Sequence, residues 1–368
     1  MPSRALFPEL DTPALVVDLD VVDANIAEMA DVARRHGVRL RPHTKTHKMP
    51  VLAHRQLAAG ASGITCSTLS QAEVMAEAGC TDIHIVVPVW GEAKLRRLQA
   101  LRERARVILS LDSVEVAEGL GRLGLESRSP VEVLVNVDTG DHRVGRPPGR
   151  PTADLVRRLV AVPGIDVRGL FTHAGHSYES RSPQERDAFA QREAGDLVET
   201  AELCRREGIA IREISPGTTP TVRTVAGMPG VTEVRPGSYI FNDTKMMRLG
   251  VATEKTVAVR VLSTVVARPN RERVVVDAGN KSLTANEVGS PGWIVAAGWP
   301  ELTFEFLAVD VGVARFMPSR ESADGPKIGD RLAILPSCSV VEQFDVAYGV
   351  RGDKVTEILD IAARGKFT

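Results

Sequence analysis

Val38-Arg39-Leu40-Arg41-Pro42-His43-Thr44-Lys45-Thr46-His47-Lys48 is the stretch on which the reading of this chain turns. Val38, Arg39 and Leu40 read as a short strand, and residues 41–48 pack two histidines and two lysines into one tight turn. Burying that much potential charge costs free energy unless the groups are put to use. A lysine that is partly desolvated and near other cations has a lowered pKa, which frees its amine to attack a carbonyl. By composition alone, the same turn reads equally well as a basic surface loop.

The surroundings make it the end of a barrel strand. Ahead of it, Ala14–Asp18 is a β-branched run, and Leu19–His36 places Val22, Ile26, Met29 and Ala33 at helical spacing until Gly37. Beyond it, strand-like runs at 62–66, 83–87, 107–111, 131–137, 167–171 and 210–214 alternate with helical patterns at 50–59, 70–78, 92–105, 114–123, 152–161 and 184–207. Alternation on this scale predicts a (β/α)8 TIM-like barrel, whose usual size is about 250 residues and whose active sites lie at the C-terminal strand ends. A doubly wound sheet is the competitor, but no Gly-rich dinucleotide fingerprint comes after the first strand. From about residue 255 the runs 256–267, 273–276, 303–309 and 330–335 are strand-like with Gly and Pro between them, which predicts an all-β domain. The expected division is an α/β barrel over 12–248 and a C-terminal β domain over 249–368, joined by residues 1–11.

Composition narrows the function classes. Lys and Arg number 46 against 47 Asp and Glu, a net charge of −1 spread along the chain, which argues against nucleic acid as a partner. No apolar run approaches the ~18 residues of a membrane span. The first ten residues contain Pro2, Pro8 and Glu9 and no apolar h-region, unlike a signal peptide. The four cysteines, Cys66, Cys80, Cys204 and Cys338, form no CxxC pair, so a cysteine zinc knuckle is not expected. A reducing cytoplasm with free thiols is the natural expectation.

Four further segments carry candidate chemistry. Ser215-Pro216-Gly217-Thr218-Thr219-Pro220-Thr221 comes after a strand-like run, and small residues there let backbone N–H groups approach a phosphate. About twenty residues on, Glu233-Val234-Arg235-Pro236-Gly237-Ser238-Tyr239-Ile240-Phe241-Asn242-Asp243 holds a turn. Plain turns account for both. Gly169-Leu170-Phe171-Thr172-His173-Ala174-Gly175-His176-Ser177-Tyr178 ends a strand in two histidines and a tyrosine, candidates for proton shuttling or for capping a loop. Val137-Asp138-Thr139-Gly140-Asp141-His142-Arg143-Val144-Gly145 places Arg143 after another strand, where a surface ion pair is the simpler reading.

Together these motifs resemble the D-threonine aldolase and eukaryotic-type D-serine dehydratase family of alanine-racemase-like, fold-type III enzymes. The likeness runs from about Leu10 to the C-terminus. His43-Thr44-Lys45-Thr46-His47-Lys48 resembles its PHxKTHK motif. The resemblance implies pyridoxal 5'-phosphate as cofactor, held by Lys45 as a Schiff base. It places Gly217, Thr218 and Thr219 with Gly237, Ser238 and Tyr239 as the phosphate cradle. It sets Arg143, His173 and Tyr178 about the cofactor ring. Asp11-Thr12-Pro13-Ala14, Asp277-Ala278-Gly279-Asn280-Lys281 and Ala363-Arg364-Gly365 resemble further family signatures. The resemblance also implies a homodimer in which the β domain of one subunit closes the barrel mouth of the other.

The chain departs from the family at its metal motif. Where the family has PxHxC or PxHxD, this sequence reads Pro336-Ser337-Cys338-Ser339-Val340. Valine binds no ion, and one thiol falls short of the three protein ligands a zinc site normally needs. No metal is therefore expected at the usual place; Glu342, Asp345 or Asp310 could build a relocated one. The expected activity is a pyridoxal-phosphate-dependent lyase acting on a D-configured β-hydroxy amino acid. The alternative is a metal-independent racemase or epimerase, with Lys45 as base on one face of Cα and Cys338 or a histidine on the other. A non-catalytic cofactor carrier is the remaining reading.

Overall fold

The computed structural model describes residues 6–284, 293–318 and 324–368. The chain opens with β1 (Ala14–Asp18) and α1 (Leu19–His36). Then come β2 (Arg39–Leu40), α2 (Pro50–Ala58), β3 (Ile64–Cys66), α3 (Leu69–Glu77), β4 (Asp82–Ile85), α4 (Glu92–Arg102), β5 (Arg106–Leu111) and α5 (Val114–Glu126). Next are β6 (Val131–Asn136), α6 (Arg150–Leu159), β7 (Ile165–Phe171), α7 (Pro183–Arg206), β8 (Glu213–Ser215), α8 (Val222–Val225) and β9 (Glu233–Val234). The rest comprises α9 (Thr244–Arg248), β10 (Val259–Ala267), β11 (Arg273–Val276), α10 (Asn280–Leu283), β12 (Val295–Ala296), β13 (Leu302–Leu307), β14 (Gly312–Phe316), β15 (Arg331–Leu335), β16 (Val346–Arg351) and β17 (Lys354–Asp360).

Contacts divide the chain into two units, Ile26–Tyr239 with Gly365–Thr368, and Met1–Asn25 with Ile240–Arg364. In the first, β3 to β8 form one continuous parallel sheet. The ring closes through β2 and β9, which pair in parallel at Arg39↔Glu233 and Leu40↔Val234. An isolated bridge, His43↔Thr65, joins the β2 side to β3, and Thr232 N–H donates to Ile214 O at 3.0 Å on the β8 side. The barrel therefore runs from β2 to β9.

Strand assignment needs one correction. The run Ala14–Asp18, expected as the first of eight alternating strands, pairs antiparallel with β10 and parallel with β16. It is a central strand of the nine-stranded sheet of the other unit, ordered β13-β14-β11-β10-β1-β16-β17, with β15 paired to β10 and β12 to β15. The eighth barrel strand is the two-residue β9, which fell inside the turn motif at 233–243. The strand–helix order is the same either way, so alternation alone could not separate the two.

Charge closes one end of the barrel. Arg39, Asp82, Arg106, Glu132, Asp166, Arg168, Glu213 and Glu233, all near strand N-termini, form a chain of ion pairs including Arg106–Glu132 at 2.5 Å and Arg39–Glu213 at 3.1 Å. Arg41 is fully buried between Glu233 and Asp82. Burial opposes its charge, but the two carboxylates outweigh it and raise its pKa. Ile108, Leu134 and Phe171 pack as an apolar layer. With one end filled by salt bridges, the C-terminal strand ends are left for chemistry. Among the described residues no helix is long and apolar enough to cross a membrane.

Candidate active site

The turn after β2 is a 3₁₀ helix, Thr44–Thr46, with His43 as N-cap. Histidine is not a usual cap, but Nδ1 of His43 accepts from the Lys45 N–H at 3.3 Å. That bond leaves the proton of the neutral ring on Nε2. Thr44 anchors the turn to β3, donating from Oγ1 to Thr65 O at 3.0 Å. His47 ends the turn: its Nδ1 accepts from Met49 N–H at 3.1 Å and its Nε2 meets Gln56 Oε1 at 3.3 Å. Gln56 in turn donates from Nε2 to the Tyr239 hydroxyl at 2.8 Å. Lys48 takes a left-handed φ of 58°, uncommon for a side-chain-bearing residue. Burial lowers its pKa to about 8, and its Nζ stands 5.7 Å over the Phe367 ring.

Lys45 lines a cavity of ≈ 200 Å³ with His43, Ser67, Val86, Val87, Pro88, Arg143, Val144, His173 and Arg235. Five strand ends supply it, after β2, β3, β4, β6 and β7, together with the residue just past β9. Three of its wall residues, Lys45, Arg143 and His173, are ones the sequence singled out. Arg143 is half exposed, with Nε 3.4 Å from Asp141. Tyr178, on a 3₁₀ turn, holds its ring 6.4 Å from that of His173.

The cavity's charge explains its histidines. His173 has its pKa pushed well below the usual value, first by burial and then by the positive charges of Lys45, Arg143 and Arg235. His43 is lowered in the same way, by burial and then by Lys45 and Arg235. Both rings are neutral at physiological pH, so a ring nitrogen of His173 keeps a lone pair for a proton.

Arg235 was not picked out as a site residue, although it lies in a quoted motif. It is buried, and burial lowers its pKa to about 10. Its Nε donates to Ser215 Oγ at 2.9 Å, its Nη2 to the carbonyls of Thr172 and Ser215, and its guanidinium carbon lies 4.7 Å over the Phe171 ring. Few side chains at the site are held so firmly. Arginine in a turn carries no local mark of burial, so only the motif could have pointed to it.

The two glycine-bearing segments come together. Tyr239 N–H donates to Thr219 Oγ1 at 3.1 Å. The Tyr239 phenol points instead to Gln56, and burial pushes its pKa above the usual value. Gly217 has φ +102°, a conformation open to glycine and strained for other residues. A Cβ on Gly237 would lie 3.1 Å from His43 Cβ and 3.2 Å from Thr46 Oγ1. That Thr46 hydroxyl is buried and has no hydrogen-bond partner among the described residues. Thr218 and Ser238 are buried as well.

Cys338 opens a 3₁₀ turn of the other unit, and its side chain lies outside the described residues. Val340 is fully buried. The three carboxylates considered for a relocated metal do not converge as a ligand group: Asp310 pairs with Lys281, Asp345 pairs with Arg364, and Glu342 borders a cavity that Lys281 also lines. Among the described residues no group of three or more His, Cys, Asp or Glu is placed to hold an ion. A hydrocarbon side chain at the second ligand position does not fit the family's metal.

Comparison with known proteins gives a consistent picture. The family described as alanine racemase, N-terminal domain, matches residues 17–245, and a putative serine dehydratase domain matches residues 258–350. The chain is 40% identical to the D-threo-3-hydroxyaspartate dehydratase of Delftia sp. (strain HT23) over 73% of its own length and 72% of that protein's. It is 35% identical to a D-threonine aldolase of Arthrobacter sp., over 97% of this chain and 93% of the relative. Among solved structures, the D-threonine aldolase from Filomicrobium marinum superimposes with a TM-score of 0.92 at 32% identity, covering 98% of this chain and 97% of the other.

Proposed function

On the premise that this chain belongs to the alanine racemase N-terminal domain family, we propose that it is a pyridoxal-phosphate-dependent lyase of D-configured β-hydroxy amino acids. The observation that carries the reading is Lys45: a lysine on a strand-end turn, lining a cavity whose other ionisable residues are two neutral histidines and two arginines. Relatives that match nearly the whole chain are named both for aldol cleavage, as D-threonine aldolase, and for elimination, as D-serine dehydratase.

The residues fit pyridoxal phosphate on two counts. Thr46 Oγ1 is a buried donor without a partner among the described residues and lies beside Gly237, where added bulk would meet the lysine turn. The 217–219 and 237–239 segments, tied by the Tyr239–Thr219 bond, bring together small residues whose remaining N–H groups, those of Thr219 and Gly237, can meet a phosphate; the N–H groups of Gly217, Thr218 and Tyr239 hold the loops themselves. Lys45 would hold the cofactor covalently, with Arg143, His173 and Tyr178 around its ring and Arg235 as a fixed positive charge. When bound, the cofactor supplies an electron sink for negative charge at the substrate Cα. His173 accepts the β-hydroxyl proton at its unprotonated ring nitrogen. His43, holding its proton on Nε2, orients Lys45 through the backbone. Lys45, Arg143 and Arg235 attract an anionic substrate. Val86 and Pro88 form an apolar wall that limits water.

Val340 favours a second reading, a metal-independent racemase or epimerase, because the ion that family lyases place on the β-hydroxyl has no ligand there. One experiment separates the two. Purified protein with pyridoxal phosphate is incubated in D₂O with D-threonine, D-serine, D-threo-3-hydroxyaspartate and D-alanine, with and without EDTA, and all products are monitored by NMR. Glycine plus aldehyde, or keto acid plus ammonia, marks the lyase. Deuterated, inverted amino acid without cleavage marks the racemase and overturns the proposal. Loss of cleavage with EDTA would overturn the reading of Val340. The same proposal carries a homodimer and a cytoplasmic location, the first read directly by sedimentation.

A further inference from the structure

Glu193 lies on α7 and is fully buried, yet has no role in the site as described so far. Its Oε1 accepts the Gly217 N–H at 2.8 Å, and its Oε2 accepts the Thr221 hydroxyl at 2.8 Å. Both partners belong to the 215–221 loop. From Thr221 a line of buried hydroxyls continues: Thr221 Oγ1 to Thr218 Oγ1 at 3.0 Å, then Thr218 Oγ1 to Ser177 Oγ at 3.0 Å. Thr221 Oγ1 also accepts the Thr218 N–H at 3.1 Å.

A hydroxyl has one proton to give. When Glu193 is ionised, Thr221 must donate to it. Thr218 then donates to Thr221, and Ser177 to Thr218. Every proton in the line points at the carboxylate, and the Thr218 hydroxyl has none left for a ligand. When Glu193 is protonated, its half of the line reverses: Glu193 donates to Thr221 and Thr221 to Thr218. Ser177 can go on donating to the second lone pair of Thr218, and the Thr218 proton is then free for a ligand.

We infer that Glu193 is a proton-linked positioning residue of the 215–221 loop: taking up a proton at its carboxylate frees the Thr218 hydroxyl to donate to an anion, so anion capture and protonation of Glu193 occur together. The inference rests on the reading of that loop as the phosphate cradle. Burial raises the Glu193 pKa to about 7, against the Gly217 and Thr221 bonds, the positive charge of Arg235 and the Ala174 N–H, all of which favour the ionised form. Arg235 is the charged side chain acting on it; the loop and the 172–177 segment present hydroxyls and N–H groups. An arriving dianion adds negative charge nearby and drives the equilibrium further toward the protonated state.

The test uses the full chain freed of cofactor and sulfate as probe, a tetrahedral dianion whose charge is constant from about pH 6 to 9. Calorimetry in buffers of different ionisation enthalpy should give uptake of roughly half a proton or more per sulfate near pH 7.5, with affinity falling toward tenfold per pH unit above about 8. Glu193→Gln presents a permanent donor to Thr221 and so mimics the protonated form. It should bind sulfate as the unaltered chain does at about pH 6, without proton uptake and without pH dependence. A purely structural role would instead weaken binding at every pH. Proton uptake that persists in the variant would belong to another group, such as Lys48, and would overturn the inference. So would sulfate binding to the unaltered chain with no proton uptake, a result that needs no variant to fold. If pyridoxal phosphate binds but sulfate does not, the inference also fails. If neither binds, the cradle reading itself falls, and the role of Glu193 with it.

Discussion

His47 ties the lysine turn to the rest of the site, and its burial makes that tie sensitive to acid. The ring is fully buried, and burial brings its pKa from 6.5 down to about 4. The unfolded chain therefore binds a proton at this residue that the folded chain refuses, and stability is lost as pH falls through 6.5. Near pH 5 the unfolded imidazole is almost wholly protonated and the folded one almost wholly neutral. Integrated from about pH 7.5 to 5, the single residue accounts for about 2 kcal/mol, a sizeable part of a typical total stability of ~5–15 kcal/mol. The proton would also take the lone pair that Nδ1 offers to Met49 N–H, freeing the end of the turn that carries Lys45. Urea unfolding of the unaltered protein and of His47→Gln, each near pH 7.5 and 5, tests this. His43, His84 and His173 act in the same direction and Glu193 in the opposite one, but all are present in both proteins and cancel in the comparison. The unaltered protein should lose about 2 kcal/mol more than the variant over that interval. Parallel losses would refute the reasoning.

The same geometry has other consequences. His173→Gln should lower kcat by about 10²–10⁴-fold with KM little changed, and an unchanged kcat would remove His173 from the chemistry. Because the His173 pKa is depressed, the acid limb of the kcat–pH profile should lie below 6.5; Arg235→Leu removes one of the charges that depress it and should move that limb upward. A limb that stays in place would show the field of Arg235 to be irrelevant there. Gly237→Ala forces a Cβ against His43 and Thr46, and overpacking of about 1–3 kcal/mol should weaken cofactor affinity in an absorbance titration; unaltered affinity would sink the close-approach argument.

Much of the fold was legible because its signals are local. The 3.6-residue spacing in Leu19–His36 and the glycine after it mark α1 at the bounds observed. What failed was pairing. β1 reads as a strand from its own residues, but its partners Leu262 and Tyr348 stand far away in the chain, and nothing in residues 14–18 names them. β9 is two residues long, too short to show any period. The antiparallel pair β16–β17 near the C-terminus was not read at all, since in Lys354–Asp360 the charged Glu357 interrupts the inward Val355 and Leu359 while Ile358 lies exposed on the outer face, which blurs the alternation.

The site divides along the same line. Lys45 and His173 were singled out because strand ends repeat along the sequence and chemistry collects there; Arg143 was named only by the resemblance, since its own residues read more simply as a surface ion pair. Glu193 could not be found in that way. It sits among the charged residues of a long helix, 24 residues from Gly217, and nothing in Gln191-Arg192-Glu193-Ala194 distinguishes a buried carboxylate from a solvated one. The difference is made by the 215–221 loop, which turns two donors toward it. Motif matching identifies the atoms that meet a ligand; the groups that set how tightly those atoms are held lie behind them, on elements whose sequence is written for packing. The residues that tune this site, Glu193 and His47 among them, are therefore to be sought by burial and hydrogen bonding, since a carboxylate or imidazole kept out of water at a cost of several kcal/mol must be compensated by the structure around it.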